Sequence, residues 1–213
     1  MVYPNSKFLQ LITISNNRYF LLNKPYNMVS QFISPDKVGL LGDIPFDFPE
    51  GSHAIGRLDN ESEGLLIVTT NKKVTRLLFK QNRLHNRSYL VMVQNVVTSE
   101  TIDQLKAGIT IRVKGGENHI IFPVEVKIIT EPQKLYSFAS DPREQYPHTW
   151  LLISITEGKF HQVRKMVLAV RHRCLRLIRL SICDLNLENL PPGKVFEMEE
   201  NIFFTMLGIS SHK

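Results

Sequence analysis

Only two cysteines occur in the 213 residues, Cys174 and Cys183. Two thiols inside a basic stretch do not make a disulfide framework. No CxxC or HExxH spacing accompanies them, so no metal site is expected. Long apolar runs are also missing. Leu65 to Val68 and Met166 to Val170 fall far short of the roughly 20 residues that a membrane helix needs. The first residues, MVYPNSKFLQ, lack a charged leader followed by an apolar core, and a cytoplasmic protein without membrane attachment is expected. There is no GxGxxG or GxxxxGK[ST] phosphate loop. No repeat, low-complexity tract or Gly/Ser linker divides the chain, whose length suits one domain or a small pair.

Acid is absent where base is dense. From Gly64 to Ser99 there is no Asp or Glu, yet Lys72, Lys73, Arg76, Lys80, Arg83 and Arg87 fall there. Gly158 to Cys183 repeats the pattern with Lys159, Arg164, Lys165, Arg171, Arg173, Arg176 and Arg179. Those windows hold half of the 26 Lys and Arg and none of the 20 Asp and Glu, so the net +6 of the whole chain conceals a negative remainder. Segregated basic charge points to a polyanionic partner. A hydrophobic content of 43% excludes a disordered chain.

Residues 1–16 read as a polar lead-in, and residues 17–213 as the folded unit. Arg18 to Leu22 is a short strand that Pro25 ends. Residues 26–54, rich in Pro, Gly and Asp, read as loop. Leu65 to Thr69 suits a buried strand, and Asn71 then caps a helix from Lys72 to about Gln81. Further strands are expected at Tyr89–Val97, Ile109–Val113, Ile120–Ile129 and Trp150–Thr156. A short helix spans Glu100–Ala107, stopped by Gly108. Val163, Met166, Val167 and Val170 fall at helical spacing, so His161 to about His172 reads as helix. Leu175 to Phe196 alternates apolar and polar residues, and Pro191-Pro192-Gly193 makes a turn. Strands outnumber helices without βαβ alternation, which favours α+β.

One segment stands out: Gly56-Arg57-Leu58-Asp59-Asn60-Glu61-Ser62-Glu63-Gly64-Leu65-Leu66-Ile67-Val68-Thr69-Thr70-Asn71. A polar loop with three acids runs straight into a buried strand, a sound place to anchor a catalytic carboxylate. From composition alone a simple turn, with Asp59 bonded to backbone amides, is the better explanation. The stretch resembles GRLDxxTxGLLLLTND of the bacterial ribosomal RNA pseudouridine synthases, with Ser62 in place of Thr. Lys24-Pro25 resembles the upstream KPxG of that family, and Arg87-Ser88-Tyr89 its KxY. Glu157 to Met166 resembles EGRxHQVRRM, and Leu175 to Phe196 the closing LxRxxIGxLxLxxLPxG segment. The matches fall in order across residues 18 to 198.

The resemblance implies a long mixed, largely antiparallel sheet in two halves, with the active-site cleft between them. It implies isomerisation of a uridine to pseudouridine in ribosomal RNA, that of the large subunit (23S), without cofactor or metal. Asp59 takes the role of catalytic carboxylate, Tyr89 packs against the target base, and Arg164 pairs with Asp59. Lys24, Arg57, Arg76, Lys159, His161, Gln162 and Lys165 are the candidate RNA contacts. Many relatives carry a small S4 RNA-binding domain ahead of KPxG. The 23 residues before Lys24 are too few for one, so this chain is expected to act as a monomer whose own basic surface holds the RNA. The alternative is a non-catalytic RNA-binding or ribosome-assembly protein on the same fold.

Overall fold

The computed structural model describes residues 17–79, 85–113 and 115–209. Its core is a nine-stranded sheet. In chain order the strands are β1 (Tyr19–Lys24), β2 (His53–Ile55), β3 (Glu63–Thr69), β4 (Arg87–Gln94), β5 (Ile109–Arg112), β6 (Asn118–Ile121) and β7 (Glu125–Ile129). After them come β8 (His148–Ile155), β9 (Cys174–Ile182), β10 (Leu185–Asn186) and β11 (Val195–Met198). The helices are α1 (Val74–Phe79), α2 (Ser99–Lys106), α3 (Gln162–Ala169) and α4 (Glu200–Met206). The main path runs β11-β1-β3-β9-β4-β8-β7, with β2 on β3, β10 on β9, and a separate β5-β6 hairpin.

Among the described residues, every pairing between the named strands is antiparallel except one. β3 and β9 run parallel and meet at only two positions, Glu63 opposite Ile178 and Gly64 opposite Arg179. This short junction joins β11-β1-β3 to β9-β4-β8-β7. Gly64 makes it possible. Its φ is +98°, and a Cβ there would stand 2.4 Å from the Arg179 carbonyl oxygen, a contact no other residue could make. Just beyond, the far edge of β3 passes to β2, which pairs with Ile67 to Thr69. The sheet therefore splits beside Leu65.

Alternation along the strands builds three cores. Tyr19 and Leu21 of β1, Leu65 and Ile67 of β3, and Leu90 and Met92 of β4 share one continuous core beneath both halves. On the opposite face, Phe20, Leu22, Leu66 and Val68 pack under the 28–58 loop. Tyr89, Val91 and Val93 pack instead with α2 and α3. The two upper cores do not merge, and the seam between them is where a cleft opens.

The structure differs from the sequence reading in several elements. The strand expected over Ile120–Ile129 is two strands, since Pro123 cannot donate to a ladder. The loop of residues 26–54 contains β2 and a single 3-10 turn, Leu41–Asp43. The described part of α1 starts at Val74, two residues after the expected Lys72, and its expected end near Gln81 lies outside the described residues. Helix α4 was not foreseen; it buries Phe203 and Phe204 against Tyr19. The lead-in of residues 1–16 lies outside the described residues, as do Lys80 and Arg83. Among the described residues, no helix is long and apolar enough to cross a membrane.

Candidate active site

A cleft of about 550 Å³ lies on the seam. Asp59 lines it from the turn that precedes β3, with about a third of its side chain exposed. That turn is pinned at four points. The Ser30 hydroxyl accepts from Leu58 N (3.0 Å) and donates to Leu58 O (2.8 Å). The Lys24 ammonium reaches Asn60 O at 3.4 Å, and Met28 N donates to the same carbonyl at 3.3 Å. Arg164 Nη2 donates to Glu61 O at 2.8 Å. Ser62 N closes the turn on Asp59 O at 3.0 Å. A carboxylate held by its backbone in this way needs little reorganisation to act.

Tyr89 supplies the facing wall from β4 and is 8% exposed. A register shift between Ser88 and Tyr89 sets Tyr89 opposite Arg179 of β9, the kind of irregularity that re-aims side chains beside functional sites. Arg179 fills the split in the sheet. Its Nε donates to Leu65 O (2.8 Å) and its Nη2 to Gly56 O (2.7 Å). Burial lowers its pKa, while Tyr89 and Asp59 nearby raise it. Sequence reasoning passed over this residue as a site member, although it lies in the second acid-free window and in the closing motif. Two further cleft residues, Phe79 and Arg87, were also missed.

The candidate residues divide sharply. Asp59, Tyr89, Arg57, Lys159, His161 and Gln162 come together on the cleft. The Arg164–Asp59 pair does not form as expected. Arg164 pairs with Glu61 (3.8 Å between Nη1 and Oε2), while Nε2 of the His161 ring comes within 3.6 Å of Asp59 Oδ2. The cause is the start of α3. His161 adopts a left-handed backbone (φ +54°) that places its ring at the rim, stacked on Phe160 with centroids 3.9 Å apart. Arg164, on the first turn of α3, reaches the outer side of the Asp59 turn.

Lys24 is not an RNA contact. It is fully buried and donates to Pro25 O, Met28 O and Asn60 O, and burial lowers its pKa to about 8. Gln162 is only 4% exposed. Its Oε1 accepts from Lys159 N, and its Nε2 has no partner among the described residues. Lys165 donates to Arg112 O at 2.7 Å, away from Asp59. Arg76 is exposed on α1 and does not line the cleft. Part of the excess positive charge is also structural. Arg87, Arg176 and Arg179 are buried, and Arg176 forms a bidentate pair with Glu63, both contacts at 2.8 Å.

The fold is that of a pseudouridine synthase. A crystal structure of a pseudouridylate synthase superposes with a TM-score of 0.69 at 25% identity, covering 91% of this chain and 75% of that one. A chain of a Cbf5-Nop10-Gar1 complex shares the fold at a TM-score of 0.51, with 14% identity over 79% of this chain and 50% of its own. The RNA pseudouridylate synthase family matches residues 18–169, and the chain belongs to that family. Several relatives bear the name ribosomal large subunit pseudouridine synthase E. That of Vibrio vulnificus is 30% identical over 89% of this chain and 79% of its own length. That of Xanthomonas axonopodis pv. citri is 33% identical over 81% and 89% respectively. The reaction class is thus the isomerisation of uridine to pseudouridine in RNA.

Proposed function

We propose that this protein isomerises one uridine of large-subunit ribosomal RNA, in the cytoplasm, with Asp59 as the catalytic carboxylate. The observation that carries the reading is the pinned Asp59 turn opening into a cleft whose opposite wall is Tyr89. A uridine taken out of its stack needs a replacement surface for its base, and the Tyr89 ring offers one. Asp59, as a carboxylate, either attacks the sugar or removes a ribose proton; both routes suit its position. The C1′–N1 bond breaks, a C1′–C5 bond forms, the C5 proton leaves and N1 gains one. The product has the atoms of the substrate.

Within this reading Arg164 is a positioning residue, acting on the Asp59 turn through Glu61. Arg57, Lys159 and His161 ring the cleft mouth, where the RNA backbone would pass. Gln162 Nε2 is a donor available to a uracil carbonyl. The large-subunit substrate is supported by the names of these relatives.

The test is incubation with ribosomal RNA lacking pseudouridine, followed by mapping of the modified positions. One new site in large-subunit RNA is expected, abolished by Asp59→Asn. Absence of conversion by the wild type on any ribosomal RNA would overturn the reading. Conversion confined to small-subunit RNA would overturn the subunit alone, and an active Asp59→Asn would overturn the role of Asp59.

A further inference from the structure

A second chamber of about 670 Å³ opens beside the cleft. The wall common to both is made by Ser30, Gln31, Gly56, Arg57 and Phe79. Phe79 is the aromatic residue of that wall, and it is 48% exposed although it lies on a helix whose Val74 and Leu78 are in the core. Its ring is supported rather than buried. The Arg87 guanidinium sits over it, 5.7 Å from the centroid. Gly56, at φ +63°, comes so near that a Cβ there would lie 3.6 Å from Phe79 Cζ.

The rest of the chamber is apolar or neutral toward an anion. Ile33, 85% exposed, forms part of its lining, together with Thr75 and His53. No acidic side chain lines it among the described residues. Arg57 is exposed at the shared rim, and Lys72, Lys73 and Arg76 are exposed on and just before α1. A supported aromatic ring, an apolar wall and a positive rim are what a single-stranded nucleotide requires. Continuity with the cleft decides which nucleotide that is. When one base is extruded its neighbours lose a stacking partner, and the chamber shares Phe79 with Asp59's cleft.

We propose that the second chamber binds the nucleotide adjacent to the target uridine, with its base stacked on Phe79. This rests on the RNA-isomerase reading and extends it: Phe79 is a binding residue that selects for an unpaired neighbour beside the reacting uridine.

The test uses single-turnover pseudouridine formation on an RNA fragment carrying the mapped uridine. The fragment is compared intact and with the base removed from either neighbouring nucleotide. Phe79→Leu, which keeps apolar bulk, is expected to raise the half-saturating RNA concentration by about tenfold, with little change in the saturated rate. Removing the stacked neighbour's base should cost the wild type a similar factor. On that abasic RNA, Phe79→Leu should lose nothing more. Phe79→Tyr should restore binding to within about twofold, since a stacking face is all that is asked of it. An unchanged half-saturating concentration in Phe79→Leu, or an equal loss on intact and both abasic RNAs, would overturn the subsite while leaving the isomerase intact. A Phe79→Tyr variant as weak as Phe79→Leu would do the same. If the wild type forms no pseudouridine, both readings fall together.

Discussion

Removing Arg176 should loosen the short junction that joins the two halves of the sheet. Arg176 of β9 and Glu63 of β3 face each other across the two-position junction of the sheet, with side chains 10% and 9% exposed. Arg176 also donates to Ala139 O (2.9 Å) and Ser140 O (3.0 Å). Arg176→Met deletes the guanidinium and leaves the Glu63 carboxylate buried within the electrostatic reach of Lys24 and Arg143. Breaking a buried pair from one side costs about 3–5 kcal/mol, so a fall in Tm of roughly 6–15 °C is expected for a chain of this size. Glu63→Gln combined with Arg176→Met removes the stranded carboxylate and should recover at least about 1 kcal/mol of that loss. Urea unfolding of the wild type and both variants measures the difference. A loss in Arg176→Met below about 1 kcal/mol, against the 3–5 expected for a buried pair, would refute the claim that this pair clamps the halves. A double variant no more stable than Arg176→Met would refute the stranded carboxylate.

Other perturbations probe neighbouring features. Gly64→Ala would force a side chain onto φ +98° and into the Arg179 carbonyl; a loss of at least about 3 kcal/mol is expected in urea unfolding. Lys24, whose pKa burial lowers from 10.5 to about 8, binds its proton less tightly when folded than when unfolded. Stability should therefore rise between those pH values, by up to about 3 kcal/mol, and Lys24→Met should lack that rise in the same unfolding series. Charge reversal at Lys159, exposed at the cleft mouth, should flatten the slope of log affinity against log salt by about 0.7 or more per lost phosphate contact. Lys24→Met should leave that slope unchanged, because its ammonium faces carbonyls inside the protein.

What could be read in advance follows from the range of the interactions involved. The β3 run and the α3 stripe are local patterns, and both elements stand close to where periodicity places them. Asp59 and Tyr89 were identified through motif resemblance, and the structure sets both on one cleft. Misreadings arose where a side chain's partner is distant in sequence. Lys24 looks like any exposed base until the 28–60 loop closes over it. Arg164 lies on the first turn of α3, and only the path of the Asp59 turn shows that it holds Glu61. Arg179 acquires its place because Leu65 and Gly56, more than a hundred residues earlier, leave two carbonyls in the split of the sheet.

The scarcity of acid in two windows is a property of the sequence alone, as are the periodicities and motifs that imply fold and family. Composition could show that basic residues cluster; it could not show which of them face water. The tertiary structure divided them. Arg87, Arg176 and Arg179 went into the seam, where buried carbonyls and a carboxylate accept their donors. Arg57, Lys159 and the α1 bases remained outside. A charged side chain enters a protein interior only where folding supplies its partners, and those partners came from other strands, brought there by the fold.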